Sequence, residues 1–315
     1  LILVVDNSRS MGEEQELLRH VTDALVFELL DGGGAGSPVT DLHVGVITSD
    51  VGAGGFYLET CEEAAGDAGE LLAEGNGRGC EPTYRAADCE GGGRCPWLAH
   101  SEAFPDDGRD PTDAPIWEDL SCIVSVGTDG CGLEQPLEAM LLALTERTGP
   151  GEPNRGFLRD ESLLAVVFVT DEDECSAEDR ELFNPSRGDL GPYGTRCVMH
   201  GDMLHPVERY AALLAELKGG DPERVMVGVV GGVPVDGGWV PGDSIEDLAE
   251  LVQLDPANTS ELQTVCEGPG GAAYAPVRLV ALAYGFGDAS AVRSVCEDDW
   301  SELARAISRR VREKL

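Results

Sequence analysis

The chain opens on an unbroken apolar run, Leu1 to Val5, that stops at Asp6, Asn7, Ser8, Arg9, Ser10 and Met11. Such a run reads as a strand buried on both faces, because a strand with one wet face would alternate. From Glu13 to Leu30, apolar residues at Leu17, Leu18, Val21, Leu25, Val26, Leu29 and Leu30 recur at helical spacing and predict a first crossover helix. Ser10 and Glu13 have capping-box spacing at its start, and Asp31 with Gly32, Gly33 and Gly34 ends it. Leu42 to Thr48 predicts a second strand, closing on Ser49 and Asp50. Ile116, Leu120, Ile123 and Val124 predict a short helix over 116–126, and Leu137, Met140, Leu141 and Leu144 another over about 133–145. Leu163 to Thr170, the most apolar run, predicts a central strand ending at Asp171, Glu172, Asp173 and Glu174. Arg224 to Val230 and Val292 to Cys296 predict two more strands, and a helix follows Pro276. Leu303, Ile307 and Val311 mark the inner face of a closing helix over 298–315. This alternation predicts an α/β fold, doubly wound around a mostly parallel sheet.

Residues 51–115 break the pattern with many glycines, five prolines and four of the ten cysteines. A structureless stretch of that length inside a compact domain is normally stapled or functional. It predicts an insertion laced by disulfides among Cys61, Cys80, Cys89 and Cys95, with Phe56 to Leu58 as an edge strand. Four cysteines allow three pairings, and the sequence does not choose between them. The whole chain, 1–315, reads as one domain, with further inserts at about 172–222 and 232–275.

Composition narrows the class. Three hundred and fifteen residues, 42% of them hydrophobic, suffice for a large core. With 59 acidic against 22 basic residues and a net charge of −37, the chain would be repelled by nucleic acid and by an anionic membrane surface. A lipid anchor upstream of Leu1 or a calcium bridge could still tether it. No apolar run reaches the ~20 residues that span a bilayer. The chain opens on a core strand without a signal peptide before it, so an export signal is expected to have been cut away or left out. The other six cysteines are Cys122, Cys131, Cys175, Cys197, Cys266 and Cys296. None of the ten forms a CxxC pair or stands at zinc-finger spacing from the five histidines, so the even count points to disulfides and an oxidising compartment.

The candidate chemistry lies at the strand ends. Asp6, Ser8 and Ser10 form D-x-S-x-S, an all-oxygen set suited to magnesium, manganese or calcium. Carboxyl ends of strands are where open α/β sheets place their sites. Thr128 sits in a glycine-flanked loop and Asp171 ends the central strand. In this order the three clusters resemble the von Willebrand factor type A domain and its metal-ion-dependent adhesion site. The resemblance covers the sheet framework, about two thirds of the chain. It implies that Ser8, Ser10 and Thr128 offer hydroxyls to one Mg2+ (or Mn2+ or Ca2+), that Asp6 and Asp171 act mainly through water, and that one position stays open to an acidic group of a protein or matrix partner. Glu172, Asp173 and Glu174 are candidates for a second cation or a solvated loop. More narrowly, D-N-S-R-S-M, S-C-I-V-S-V-G-T-D-G-C-G-L-E-Q-P-L-E-A and V-V-F-V-T-D-E-D-E-C resemble bacterial envelope proteins with this domain, many of them lipoproteins. That implies a periplasmic, cell-surface or secreted location. If Cys122 pairs with Cys131 and Cys175 with Cys197, two of the three metal loops are braced, and Cys266 with Cys296 would tie the last insert to the final strand.

Two other classes compete with a non-enzymatic binding module. A metal-dependent phosphohydrolase of the haloacid-dehalogenase type would use Asp6 as nucleophile and a second Asp two residues on, where this chain has Ser8. No G-x-S-x-G elbow of a serine hydrolase follows a convincing strand. A purely structural envelope protein is the remaining alternative. An intracellular subunit partnered with an ATPase is opposed by the cysteines and by the lack of a GxxxxGK[ST] loop.

Overall fold

A computed structural model describes residues 1–31, 38–61, 65–75, 95–101, 116–235, 237–269, 271–298 and 300–315. Among them the strands are β1 (Ile2–Val5), β2 (Asp41–Thr48), β3 (Leu98–Ser101), β4 (Leu164–Val169), β5 (Val225–Gly231), β6 (Cys266–Gly268), β7 (Gly271–Ala273) and β8 (Val292–Ser294). The helices are α1 (Gly12–Asp31), α2 (Ile116–Ile123), α3 (Pro136–Leu144), α4 (Tyr193–Met199), α5 (Val207–Leu217), α6 (Ile245–Ala249), α7 (Val277–Gly285) and α8 (Ser301–Lys314). The main sheet runs in the order β3-β2-β1-β4-β5-β8. Every pairing in it is parallel except β2 with β3. β6 and β7 form a separate antiparallel ribbon.

The predicted apolar runs are continuous because their strands are covered on both faces. Leu3 and Val5 of β1 join the cluster that includes Leu18, Leu25 and Leu29 of α1, Leu120 of α2 and Ile307 of α8. Ile2 and Val4 enter the opposite cluster with Leu137 and Met140 of α3, Leu214 of α5 and Leu279 of α7. The result is a doubly wound three-layer α/β fold. The strand order reverses between β1 and β4, so the crevice beyond their carboxyl ends is the topological switch point where such sheets bind ligands.

A smaller third core belongs to the inserts. Ala53, Leu58, Cys61, Cys131, Leu133, Cys175, Leu182, Phe183 and Leu204 pack together, drawing on the segments that follow β2, α2 and β4. Buried Arg196 organises part of it by donating to the carbonyls of Leu182, Asn184, Arg187 and Gly191. The segment 172–222 also supplies framework, because α5 is the crossover helix from β4 to β5 and buries Tyr210 and Leu214.

Two expectations are corrected. Phe56 to Leu58 is not a strand: Gly54 and Gly55 turn the backbone with φ of 63° and 94°, and Tyr57 is 82% exposed. The edge strand is β3, pairing Leu98 with Val44 and Ser101 with Asp41. Cys131 pairs with Cys61 across 70 residues, so Cys131 is not bonded to Cys122 nor Cys61 to a cysteine of its own insert, and the staple joins the first insert to the Thr128 loop. Cys175–Cys197 and Cys266–Cys296 form as expected. Cys95 and Cys122 are also disulfide-bonded, while Cys80, Cys89 and the side chain of Leu303 lie outside the described residues. These disulfides belong to a chain that matures in an oxidising, non-cytoplasmic compartment. Among the described residues no helix is long and apolar enough to cross a membrane.

Candidate metal centre

Strand register builds the centre. β1 aligns Val5 with Thr48 of β2 and Val169 of β4, so the next residue, Asp6, comes abreast of Ser49 and Thr170. Both hydroxyls donate to its carboxylate, Thr170 Oγ1 to Oδ2 at 2.6 Å and Ser49 Oγ to Oδ1 at 3.5 Å. The Ser8 amide adds a third bond to Oδ1 at 2.7 Å. Asp6 is buried, and desolvation holds its carboxyl above the ordinary range despite these donors.

After Asp6 the chain turns into a short 3-10 segment, Arg9–Met11, that leads into α1. Ser8 Oγ and Ser10 Oγ stand 3.1 Å apart, and the Ser10 hydroxyl also bonds Asp171. Ser10 therefore faces the centre, although its spacing to Glu13 predicts a capping box. Asp171 is 2% exposed, yet its Oδ1 has no hydrogen-bond partner. Burial and the neighbouring Asp6 charge push its carboxyl up to about 7.

The Thr128 loop is fastened beside this cluster at several points. Gln15 of α1 donates to the carbonyls of Asp6 at 3.0 Å and Gly127 at 2.7 Å, and accepts from the Gly127 amide at 3.1 Å. Two residues beyond Thr128, the Gly130 amide donates to the Asn7 carbonyl at 2.9 Å. A Cβ there would lie 2.3 Å from Asn7 Cγ, so any larger residue would have to displace the Asn7 amide. Cys131 is bonded to Cys61, and its amide donates to Asp50 Oδ2. Thr128 itself stands over the start of α1: a methyl group built on Gly12 would lie 3.8 Å from its Cγ2.

The three predicted clusters thus meet at the switch point, together with groups that sequence reasoning missed. Glu14, in the first turn of α1, is buried with Oε2 unpartnered, and burial with the charges of Asp171, Glu13 and Asp6 pushes it up to about 7. Asn7 Oδ1 and Glu134 Oε1 are likewise buried without partners. A carboxylate immediately after a predicted helix start was the available signal for Glu14. Glu174 separates from this group: its carboxylate is held by Arg278 at 2.6 Å and by the Ser176 amide at 2.7 Å, so it ties the loop to α7. Comparison with family models, with curated proteins and with solved structures finds no match.

Chemically, the centre gathers buried carboxyl groups and leaves several oxygens unfilled. Like charges without counter-charge disfavour their own ionised forms, and a cation removes that penalty. Among the described residues no three His, Cys, Asp or Glu side chains converge as a metal cage. The available donors are therefore hydroxyls with two carboxylates behind them, a set that fits a hard cation retaining part of its water.

Proposed function

We propose that the chain is a divalent-cation-dependent binding module that captures an acidic group of a protein or matrix partner. Ser8, Ser10 and Thr128 would hold one Mg2+ (or Mn2+ or Ca2+) through hydroxyls, with Asp6 and Asp171 acting through water. One observation carries the reading: Asp171 Oδ1 is buried and unpartnered beside the Ser10 hydroxyl at the switch point. A buried carboxylate oxygen without a donor is completed by an ion or by an ion's bound water in this reading. With hydroxyls as direct ligands the cation keeps most of its charge and so attracts an external carboxylate. This reading makes the chain a von Willebrand factor type A-like domain of the bacterial envelope, periplasmic, cell-surface or secreted.

Asp6 favours binding over the phosphohydrolase alternative. Asp6 is 1% exposed and takes three donors on its two oxygens, whereas an attacking carboxylate has to be reached by its substrate. Thermal melting with magnesium and with chelator tests the proposal. Saturating cation at about 100 times its Kd stabilises the wild type by roughly 2.7 kcal/mol. Asp6→Ala abolishes that gain while its circular dichroism spectrum stays folded. Identical wild-type melting curves with chelator and with magnesium sink the metal reading. Turnover of para-nitrophenyl phosphate that disappears in Asp6→Ala favours the hydrolase instead.

A further inference from the structure

A cavity of about 260 Å3 is lined by Glu172, the residue that follows Asp171 of the metal centre. Glu134, Glu172, Asp173 and Glu261 line it, no lysine or arginine does among the described residues, and Tyr274 contributes an aromatic wall. Glu134 is 2% exposed and hydrogen-bonded to Glu172, yet its Oε1 has no partner. The backbone here is fixed: the Glu134 carbonyl accepts from the Cys175 amide at 2.8 Å, and the Gln135 amide donates to the Ser49 carbonyl at 3.0 Å. Glu134 is thus carried on a backbone anchored to the segments that follow β4 and β2.

We propose that this cavity receives the guanidinium or ammonium group of an arginine or lysine side chain from the same partner that supplies the acidic group. Its volume lies below the roughly 300 to 1,000 Å3 of pockets that enclose drug-sized ligands, and suits one long side chain. Among the described residues no three His, Cys, Asp or Glu side chains gather here as a metal cage. The aromatic side chain of Tyr274 in the lining suits an organic cation more than a hydrated metal ion. The partner's motif is then bipolar, an acidic group for the cation and a basic side chain for the cavity. Only the assignment of both groups to one partner rests on the function proposed above.

The test uses acetyl-arginine-amide as probe and acetyl-citrulline-amide as its neutral isostere, titrated by calorimetry into the full chain with chelator present. The arginine compound binds, the citrulline compound does not, and Glu172→Gln weakens binding about tenfold or more. Glu261→Gln, on the exposed rim where folding is not at risk, weakens it about threefold. The proposal is overturned by unchanged affinity in both variants, by equal binding of the two compounds, or by no binding of either. Displacement of the probe by calcium in place of chelator identifies a metal site and also overturns it. Binding of spermidine but not of acetyl-arginine-amide assigns the cavity to free polyamines and does the same. A chain that binds the arginine probe but melts identically with and without magnesium retains the cavity and loses only the metal reading.

Discussion

Gln15→Ala isolates the loop geometry without removing any proposed ligand. The side chain is buried and makes three hydrogen bonds, two to Gly127 and one to the Asp6 carbonyl. At 0.5 to 1.5 kcal/mol net for each bond, their loss costs about 3 kcal/mol. For a chain of this length, an unfolding entropy of about 0.7 kcal/mol per degree converts that into a fall of roughly 4 to 5 °C in Tm. Two of the three bonds hold the Thr128 loop against α1, so without them the loop opens more often and the apparent Kd for magnesium rises roughly tenfold. Hydrogen exchange should accelerate at Gly127 and Thr128, while the amides of β4 and β5 stay protected. Magnesium titrations and denaturation curves on the same preparation supply the other two numbers. Faster exchange in the loop with an unchanged magnesium Kd would remove Thr128 from the ligand set. Unchanged exchange and Tm together would refute the clamp.

Peptide mapping under non-reducing conditions should recover Cys61 with Cys131, Cys175 with Cys197 and Cys266 with Cys296; a Cys122–Cys131 peptide contradicts the fold described above. Asp288 is fully buried and accepts from the Val227 amide at 2.8 Å and Arg310 Nε at 2.5 Å, with Lys314 Nζ at 3.5 Å. Asp288→Ala strands those charges under the sheet and should cost about 3 to 5 kcal/mol in urea denaturation, with a surface-like loss below about 1 kcal/mol as the opposing result. Glu138 joins α3 to α5: burial raises its carboxyl, but Arg209 at 2.6 Å and Tyr210 at 2.9 Å outweigh that and hold it below the ordinary 4.5. Its stabilisation is thus complete above the unfolded pKa and disappears as pH falls through the folded one. Glu138→Gln should be less stable than wild type at about pH 7, with the gap closing below about pH 4; a gap of constant size argues against the ion pair.

The framework was readable where burial writes itself into composition. β1, β2, β4 and β5 are covered on both faces and so appear as apolar runs, and α1 and α8 carry regular stripes. β3 left no such trace, because Leu98, Ala99, His100 and Ser101 form a short edge with little to bury. Helix α5 has its apolar positions at Val207, Tyr210, Ala211 and Leu214, but acidic and glycine-rich neighbours made the segment resemble an insert. At the centre, the D-x-S-x-S motif was visible because its members are adjacent in sequence. Its supporting contacts were not: Thr170 reaches Asp6 from 164 residues away and Gln15 reaches Gly127 from 112, and only strand register creates those meetings. The fate of Glu174 likewise depended on Arg278, which nothing in its local sequence announces. Short-range cysteine partners could be guessed from spacing, whereas Cys61–Cys131 closes a loop too long for spacing to reveal.

That long-range bond has a consequence for the order of events in maturation. Cys131 lies three residues from Thr128, so the same covalent link that secures the first insert also limits where the threonine can travel. In the chain-entropy model, a closure of about 70 residues removes roughly 4 kcal/mol of freedom from the unfolded ensemble. A newly made, still reduced chain carries every oxygen of the centre but not this restraint. Oxidation therefore adds a restraint on the Thr128 loop that the reduced chain lacks, and it does so only in a compartment where thiols are consumed.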